Sequence, residues 1–226
     1  MPIRIPDALP AHDILESENI FVMTEYRAMH QNIRPLNLLI LNLMPTKIVT
    51  ETQLLRMLSN TPLQIQVEFL QTASYKSTHT DANHLKQFYH TFDQIKDRRY
   101  DGMIITGAPL DYVPCEETLY WDEVCKIMEW TKTHVHCTFH LCWGAYAGLY
   151  YHYGIEKLDM PKKLFGIYSH EIRKETSPLF RGFNDHFLAP HSRATDVRLS
   201  DVEAIPNLEV MAVTETGSLA IAKTRD

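Results

Sequence analysis

Hydrophobic positions follow two patterns, which alternate along the chain. In the first, apolar residues are continuous or alternate at period two, as in Leu36–Met44, where nearly every position is apolar. The segments of this strand-like kind are 36–44, 63–69, 100–106 and 137–141. The segments with apolar residues at helical spacing are 46–59, 85–95, 119–134 and 143–153. This alternation predicts an α/β fold, a three-layer sandwich with a mostly parallel central sheet.

The two ends of the chain depart from this alternation. Residues 1–35 are punctuated by prolines and predict an irregular N-terminal segment. Residues 36–226 predict one α/β domain, in which the pattern beyond Pro161 weakens into short strands, the clearest at 208–213 and 219–222. Because an α/β domain seldom ends directly after a strand, we expect this domain to lack its C-terminal part.

Composition narrows the class of protein. The chain has 226 residues, of which 45% are hydrophobic, and a net charge of −6. This length suits one large domain or two small ones, and the acidic balance argues against a nucleic-acid or membrane-surface partner. No apolar run approaches the roughly 20 residues that span a bilayer. The N-terminus lacks the apolar core of a secretion signal, so we expect a cytoplasmic protein.

The chemistry of the sequence centres on Cys142. This cysteine follows a predicted strand and begins a predicted helix, so it lies at a sharp turn of the kind that presents nucleophiles in α/β enzymes. A helix N-terminus lowers a thiol's pKa and favours the thiolate. The Trp143 N–H and the small-residue turn at Gly107 and Ala108 are candidate donors to an oxyanion. The alternative interpretation is that Cys142 is a buried structural cysteine.

The remaining cysteines and histidines carry weaker signals. Cys115, Cys125 and Cys137 are interpreted as structural, since no C-x-x-C pair is present. His134 and His136 could share a metal ion, but no acidic or cysteine ligand joins them, so we expect no metal site and no resident cofactor. Two polar clusters, at 162–163 and 191–193, lie in predicted loops and are either solvated or in contact with substrate.

Five segments together resemble the homoserine O-acyltransferases of methionine biosynthesis. They are NLMPTKIVTETQ (42–53), TGAPLDYV (106–113), FHLCWGAYAGLYYHYGI (139–155), KKLFGIYSHEI (162–172) and FLAPHSRATD (187–196). The resemblance runs in order through essentially the whole chain. It implies a fold like the class I glutamine amidotransferase domain, with a cysteine nucleophile elbow, and a cytoplasmic homodimer.

The resemblance also assigns roles to individual positions. Cys142 matches the family nucleophile, which takes an acyl group from acyl-CoA as a thioester and passes it to the hydroxyl of L-homoserine. Trp143 matches an oxyanion-hole residue. Lys163 and Ser192 match positions assigned to substrate binding, and Lys47 lies in a motif placed near the active site.

Asp111 matches the position that correlates with the acyl donor. In the resembled family a Gly here accompanies succinyl-CoA and a Glu accompanies acetyl-CoA. Asp keeps the charge of Glu and would repel the carboxylate of a succinyl group. We therefore expect acetyl-CoA as co-substrate, with succinyl-CoA as the alternative.

One family feature is missing from these 226 residues. The family's general base is a His followed two residues later by a Glu, and no His-x-Glu occurs here. The chain is then either a fragment of a longer reading frame or a truncated enzyme, and we expect weak turnover from it. Two other functions stay open: a glutaminase-like hydrolase that uses the same cysteine, and a remnant that no longer turns over.

Overall fold

The computed structural model describes residues 3–28, 34–74 and 80–225. The chain divides into two compact units, where the sequence predicts one domain from residue 36 onward. The first unit comprises Met1–Pro109 and Cys115–Ala145, and the second comprises Leu110–Pro114 and Tyr146–Asp226.

A parallel sheet forms the centre of the first unit. Its strands among the described residues are β1 (Arg4–Ile5), β2 (Met23–Thr24), β3 (Leu36–Leu41), β4 (Ile65–Leu70), β5 (Tyr89–His90), β6 (Gly102–Ile105) and β7 (Thr138–His140). Their spatial order is β2-β1-β4-β3-β6-β7, with β5 also paired to β4, and every pairing is parallel. The predicted α/β class and parallel sheet are confirmed.

Strand β3 lies inside this sheet, between β4 and β6. Its residues Leu39, Ile40 and Leu41 are completely buried, because both faces of the strand are covered. The continuous apolar run that predicts this strand therefore reflects its central position. The carboxyl ends of β3 and β6 consequently lie side by side, with Leu41 paired to Ile105.

Helices connect the strands. They are α1 (Ala11–Ser17), α2 (Glu25–Ala28), α3 (Lys47–Leu58), α4 (Ala82–Phe88), α5 (Phe92–Ile95), α6 (Trp121–His134) and α7 (Trp143–Tyr153), with a short 3-10 helix at Cys115–Glu117. The predicted helices at 46–59, 119–134 and 143–153 agree with the structure to within two residues at each end.

The N-terminal region is more regular than the sequence predicts. Within 3–28 the structure has two short strands and two short helices, and Ile3, Ile5, Leu9 and Leu15 are buried in the core of the first unit. Strands of two residues and helices of four and seven residues are too short for hydrophobic periodicity to reveal them. Residues 1–2 and 29–33 of the predicted irregular segment lie outside the described residues.

The single helix predicted over 85–95 is wrong. Tyr89 and His90 are extended and pair with β4, which ends α4 at Phe88. A new helix then begins at Phe92, with Thr91 and Gln94 forming a capping box. The extended conformation is favoured over a continuous helix because it buries the Tyr89 ring against Phe69. It also gives the Tyr89 hydroxyl a buried carboxylate partner in Glu51.

An antiparallel sheet dominates the second unit. Its strands are β8 (Leu158–Ile172), β9 (His186–Asp196), β10 (Leu208–Thr214) and β11 (Leu219–Thr224), in the order β11-β10-β8-β9. The unit also contains a short 3-10 helix, Pro178–Phe180, and helix α8 (Leu199–Glu203). The last two strands match the predicted ones.

Strands β8 and β9 are much longer than the short strands predicted beyond Pro161. Pro161 lies inside β8, where the register with β9 shifts between Asp159 and Leu164. A proline cannot donate to the ladder, so it is tolerated at such an irregularity. The long hairpin was missed because the irregularity and Gly166, whose φ is +143°, break the alternation of the sequence.

Candidate active site

Cys142 lies at a turn between β7 and α7. Its φ is +51°, a left-handed backbone conformation that is uncommon for a residue with a side chain. The turn is closed by the Gly144 N–H, which donates to the Leu141 carbonyl at 2.9 Å, and by the Ala145 N–H, which donates to the Cys142 carbonyl at 2.9 Å. Cys142 is exposed, which contradicts the alternative of a buried structural cysteine. We call residues 141–144 the elbow.

Two glycines let the elbow pack closely against the end of β6. A Cβ added at Gly144 would lie 2.7 Å from the Thr106 carbonyl oxygen and 2.8 Å from that of Ile105. A Cβ added at Gly107 would lie 3.0 Å from Cys142 Cβ and 3.4 Å from its Sγ. The structure therefore brings Gly107 directly beside the Cys142 thiol.

Thr106 orients the turn at Gly107 and Ala108. Its hydroxyl donates to the Gly107 carbonyl at 3.0 Å and accepts the Leu43 N–H at 2.8 Å. The carbonyl and N–H of one peptide point in opposite directions. Because the Gly107 carbonyl faces the Thr106 hydroxyl, the Ala108 N–H of the same peptide points in the opposite direction, away from Thr106.

Trp143 anchors the start of α7. Its side chain is 2% exposed and its ring meets Tyr120 edge-on, with the ring centroids 5.9 Å apart. As the first residue of the helix, Trp143 has a main-chain N–H without a partner inside the helix. The predicted oxyanion donors are this N–H and those of Gly107 and Ala108. Trp143 follows Cys142 in the chain, and Gly107 lies beside the Cys142 side chain in space.

The other cysteines differ in their surroundings. Cys115 is buried, as a structural cysteine should be. Burial, reinforced by the Asp122 carboxylate, raises the pKa of Cys125 to about 11. The interpretation of Cys137 as a buried structural residue is wrong, because Cys137 and Phe139 are exposed on and beside β7, which is an edge strand.

Lys47 is buried at the start of α3. Its ammonium donates to the Asn42 carbonyl at 2.5 Å and lies 5.4 Å from the centre of the Tyr89 ring. Burial lowers the pKa of Lys47 to about 8, and the Glu51 carboxylate partly opposes this. The segment from Asn42 to Lys47 is tied to the Thr106 turn through Leu43.

A buried polar network lies around this lysine. Glu51 is completely buried, and its carboxylate accepts the Tyr89 hydroxyl at 2.6 Å and contacts His84 Nε2 at 3.0 Å. The Tyr89 hydroxyl in turn accepts the side-chain amide of Asn42 at 2.9 Å. Burial, with the Glu51 carboxylate adding to it, raises the pKa of Tyr89. Sequence reasoning missed the network, since Glu51, His84 and Tyr89 lie far apart in the chain and no local pattern links them.

The predicted residues of the second unit fall on two structural features. Lys163 and Ser192 are exposed on adjacent strands of the β8–β9 hairpin. Ser192 lies opposite Phe165 in the regular part of the hairpin, and Lys163 lies two residues before Phe165, inside the irregular stretch between Asp159 and Leu164. Asp111 is half-buried in the turn that follows Leu110, and the Lys157 ammonium donates to the carbonyls of Leu110 and Asp111.

Within 3–28, 34–74 and 80–225, no cluster of three or more potential metal-ligating side chains is present. His134 stacks on Trp130, and its Nδ1 contacts the Thr133 hydroxyl. Among the helices in those same ranges, none is both long and apolar enough to cross a bilayer.

Comparison with known folds supports the architecture. A glutamine amidotransferase from Thermotoga maritima superposes with a TM-score of 0.55 at 12% identity, covering 83% of this chain and 70% of that one. At this identity the likeness concerns the fold alone. The expected amidotransferase-like fold is confirmed.

Comparison of sequences identifies the family. The chain is 56% identical over its whole length to a homoserine O-acetyltransferase of Streptococcus mutans, of which it covers 72%. It is 53% identical, again over its whole length, to a homoserine O-acetyltransferase of Bacillus licheniformis, of which it covers 75%. The family profile described as "HTS: Homoserine O-succinyltransferase" matches residues 2–226. With the elbow, the amidotransferase-like fold and these matches in agreement, the chain belongs to the homoserine O-acyltransferase family.

Proposed function

We propose that this chain is a homoserine O-acetyltransferase that carries the acetyl group on Cys142 as a thioester, in the first step of methionine biosynthesis from homoserine. The observation that carries the proposal is the exposed Cys142 at the start of α7, held at φ +51° beside the Gly107 turn. Support comes from the relatives described as homoserine O-acetyltransferases.

In the first half-reaction the Cys142 thiolate attacks the carbonyl carbon of acetyl-CoA. The carbonyl oxygen becomes an oxyanion, to which we assign the main-chain N–H groups of Trp143 and of Gly107 or Ala108 as donors. The bond to the CoA sulfur then breaks and CoA leaves as a thiolate. One thioester replaces another, so the step is nearly balanced in free energy.

In the second half-reaction the homoserine hydroxyl attacks the acetyl carbon on Cys142. An ester forms, the Cys142 thiolate leaves and the hydroxyl loses its proton, a transfer that a general base accelerates. We assign Lys163 to the homoserine carboxylate and Ser192 to a hydrogen bond with the same substrate. Both assignments rest on the family motifs and on the exposure of the two residues. We propose Lys47 as a further residue of the substrate site, because it lies in one of the family motifs, residues 42–53.

Asp111 is proposed to select acetyl-CoA over succinyl-CoA. A succinyl group carries a second carboxylate, and two like charges about 4 Å apart repel by roughly 4 kcal/mol at an effective dielectric of about 20. Even a third of this energy gives about a tenfold preference, since about 1.4 kcal/mol corresponds to a factor of ten.

Acylation of Cys142 tests the proposal directly. The chain is mixed with acetyl-CoA, the intact mass is followed with time and peptide mapping locates the label. We expect one acetyl group on Cys142, none in Cys142→Ala, and normal labelling in Cys137→Ala, which removes the other exposed cysteine. Added homoserine should then discharge the label slowly and form the O-acetyl ester, because these 226 residues contain no His-x-Glu to act as the general base.

Two results would count against this function. Absence of acetylation in the folded parent would exclude the thioester route. Discharge of the acetyl group by water as fast as by homoserine would favour the hydrolase instead.

The proposal includes a homodimer in the cytoplasm, with no nucleic-acid or membrane partner. The homodimer is supported by the family resemblance alone, and the absence of a nucleic-acid or membrane partner by the net charge of −6. Sedimentation velocity over a range of concentrations distinguishes a dimer from a monomer by mass.

A further inference from the structure

Lys157 makes an unusual pair of contacts with the loop formed by residues 110–114. Its ammonium donates one hydrogen bond to the Leu110 carbonyl oxygen, at 2.9 Å, and another to the Asp111 carbonyl oxygen. The Leu110 carbonyl also accepts the Val113 N–H at 3.3 Å. One side chain thus holds two consecutive carbonyls of the loop.

These two carbonyls belong to the two peptide planes that meet at the Cα of Asp111. The Leu110 carbonyl lies in the plane before that atom, and the Asp111 carbonyl lies in the plane after it. Because each peptide is planar, fixing both planes fixes φ and ψ of Asp111. The direction in which the Asp111 side chain leaves the backbone is then set by Lys157.

Lys157 is itself held by regular structure on both sides. Helix α7 ends at Tyr153, and Gly154 follows it with a φ of +68°, which reverses the chain. Ile155 is 4% exposed in an apolar cluster. Strand β8 begins at Leu158, which pairs with Asp196 of β9. The ammonium therefore reaches the loop from a rigid base.

We propose that Lys157 is a positioning residue for the choice of acyl donor, acting by holding the Asp111 carboxylate in place. The inference rests on the proposed function, in which Asp111 excludes the succinyl group. Without Lys157 the loop would keep Asp111 but let its carboxylate move away from the incoming charge. Discrimination against succinyl-CoA should then fall.

A purely electrostatic role of Lys157 predicts the opposite. Its positive charge would attract a succinyl carboxylate, so its removal would raise the preference for acetyl-CoA. Two of its three N–H groups are already committed to carbonyl oxygens, whose dipoles offset part of the charge. Positioning should therefore be the larger effect.

The experiment is a competition between the two donors. Acetyl-CoA and succinyl-CoA are supplied at equal concentration, and intact mass gives the ratio of the two acyl groups on Cys142 at low conversion. The variants are Lys157→Met, Lys157→Arg, Asp111→Gly and the double variant Lys157→Met/Asp111→Gly. Lys174→Met is the matched control, because the Lys174 ammonium pairs with Glu209 on β10 at 3.3 Å.

We expect the parent and Lys174→Met to prefer acetyl-CoA by about tenfold. The preference should fall to about threefold or less in Lys157→Met, with little change in the rate of acetylation itself. Lys157→Arg still offers several N–H donors and should keep most of the preference. In the Asp111→Gly background, Lys157→Met should change the ratio no further.

An unchanged or higher preference in Lys157→Met would overturn the inference, as would an equal drop in the Asp111→Gly background. If Asp111→Gly leaves the ratio of the parent unaltered, the role of Asp111 in the proposed function fails, and this inference fails with it. If Asp111→Gly changes the ratio and Lys157→Met does not, only the inference fails. Circular dichroism checks folding, and Lys157→Gln replaces Lys157→Met if the latter does not fold.

Discussion

At the scale of single residues, the surroundings of the four thiols differ enough to set their reactivity. Cys142 is exposed at a helix N-terminus, where main-chain N–H groups stabilise a thiolate. Cys137 is also exposed, but it precedes a strand, and a strand has no helix N-terminus to stabilise a thiolate. Cys115 is buried, and the raised pKa of Cys125 keeps it a thiol at neutral pH.

We predict that limiting iodoacetamide at pH 7.5 alkylates Cys142 first and Cys137 second. Peptide mapping after short exposures gives the order. Cys137→Ala should leave the fast phase intact and Cys142→Ala should remove it. Faster labelling of Cys137 than of Cys142 would contradict the prediction, because accessibility would then outweigh stabilisation of the thiolate.

Sequence reasoning located Cys142 but misjudged Cys137, and the reason is physical. The turn at Cys142 is encoded locally, by an apolar strand, a cysteine and a helix rich in small residues. The exposure of Cys137 depends on β7 being the last strand of the sheet, which follows from strand order. Strand order is a long-range property that periodicity does not contain.

At the scale of elements, the elbow depends on how closely α7 approaches β6. The main-chain oxygens of Ile105 and Thr106 lie where a side chain at residue 144 would begin. Backbone atoms cannot swing aside as a long side chain can. The close packing of the start of α7 against the end of β6 therefore requires a glycine at position 144.

We predict that Gly144→Ala lowers the free energy of unfolding by about 1–3 kcal/mol and also slows acetylation of Cys142 in the folded fraction. The added methyl must push the start of α7 away from β6 and carry the elbow with it. Urea unfolding measures the first effect, and intact-mass kinetics measure the second.

Gly217→Ala serves as the control for this prediction. Gly217 has a φ of +82° and open space around its Cα, so alanine there introduces backbone strain without a clash. It should lower stability and leave the acetylation rate per folded molecule unchanged. Equal slowing in both variants would show that stability, rather than the position of the elbow, controls acylation.

At the scale of the whole molecule, polar groups buried in the first unit link stability to pH. Lys47 has a pKa of about 8 in the folded chain, because burial disfavours its charged form. In the unfolded chain its pKa is about 10.4. Between these values the unfolded chain binds a proton that the folded chain has lost, so the free energy of unfolding rises with pH.

We predict that the difference in unfolding free energy between the parent and Lys47→Met rises by about 2 kcal/mol from pH 8 to pH 10. Urea unfolding at several pH values gives the difference. The series stops at pH 10, since the raised pKa of Tyr89 makes that group act in the opposite sense at higher pH. Parallel curves for the two proteins would show that Lys47 keeps an ordinary pKa.

The same contrast between local and distant information explains what the sequence could show of the molecule. The helices α3, α6 and α7 and the strands β3, β4 and β6 follow from patterns within about fifteen residues. The contacts of Lys157 with Leu110, of Glu51 with Tyr89 and of β8 with β9 join distant segments. The resemblance to a family supplied candidate residues, but the partners that fix them came from the structure.

The left-handed backbone at Cys142 has a consequence for laboratory evolution. A residue with a side chain is strained in that conformation by about 1–2 kcal/mol, and glycine relieves the strain. Selection of variants for heat resistance alone would therefore favour replacement of Cys142 by glycine, which removes the thiol. Part of the gain in stability is lost, because an unfolded chain with glycine has more conformational freedom. A selection scheme for this chain therefore needs a measurement of acyl transfer in every round, because the residue that relieves the backbone strain at position 142 is not the residue that reacts.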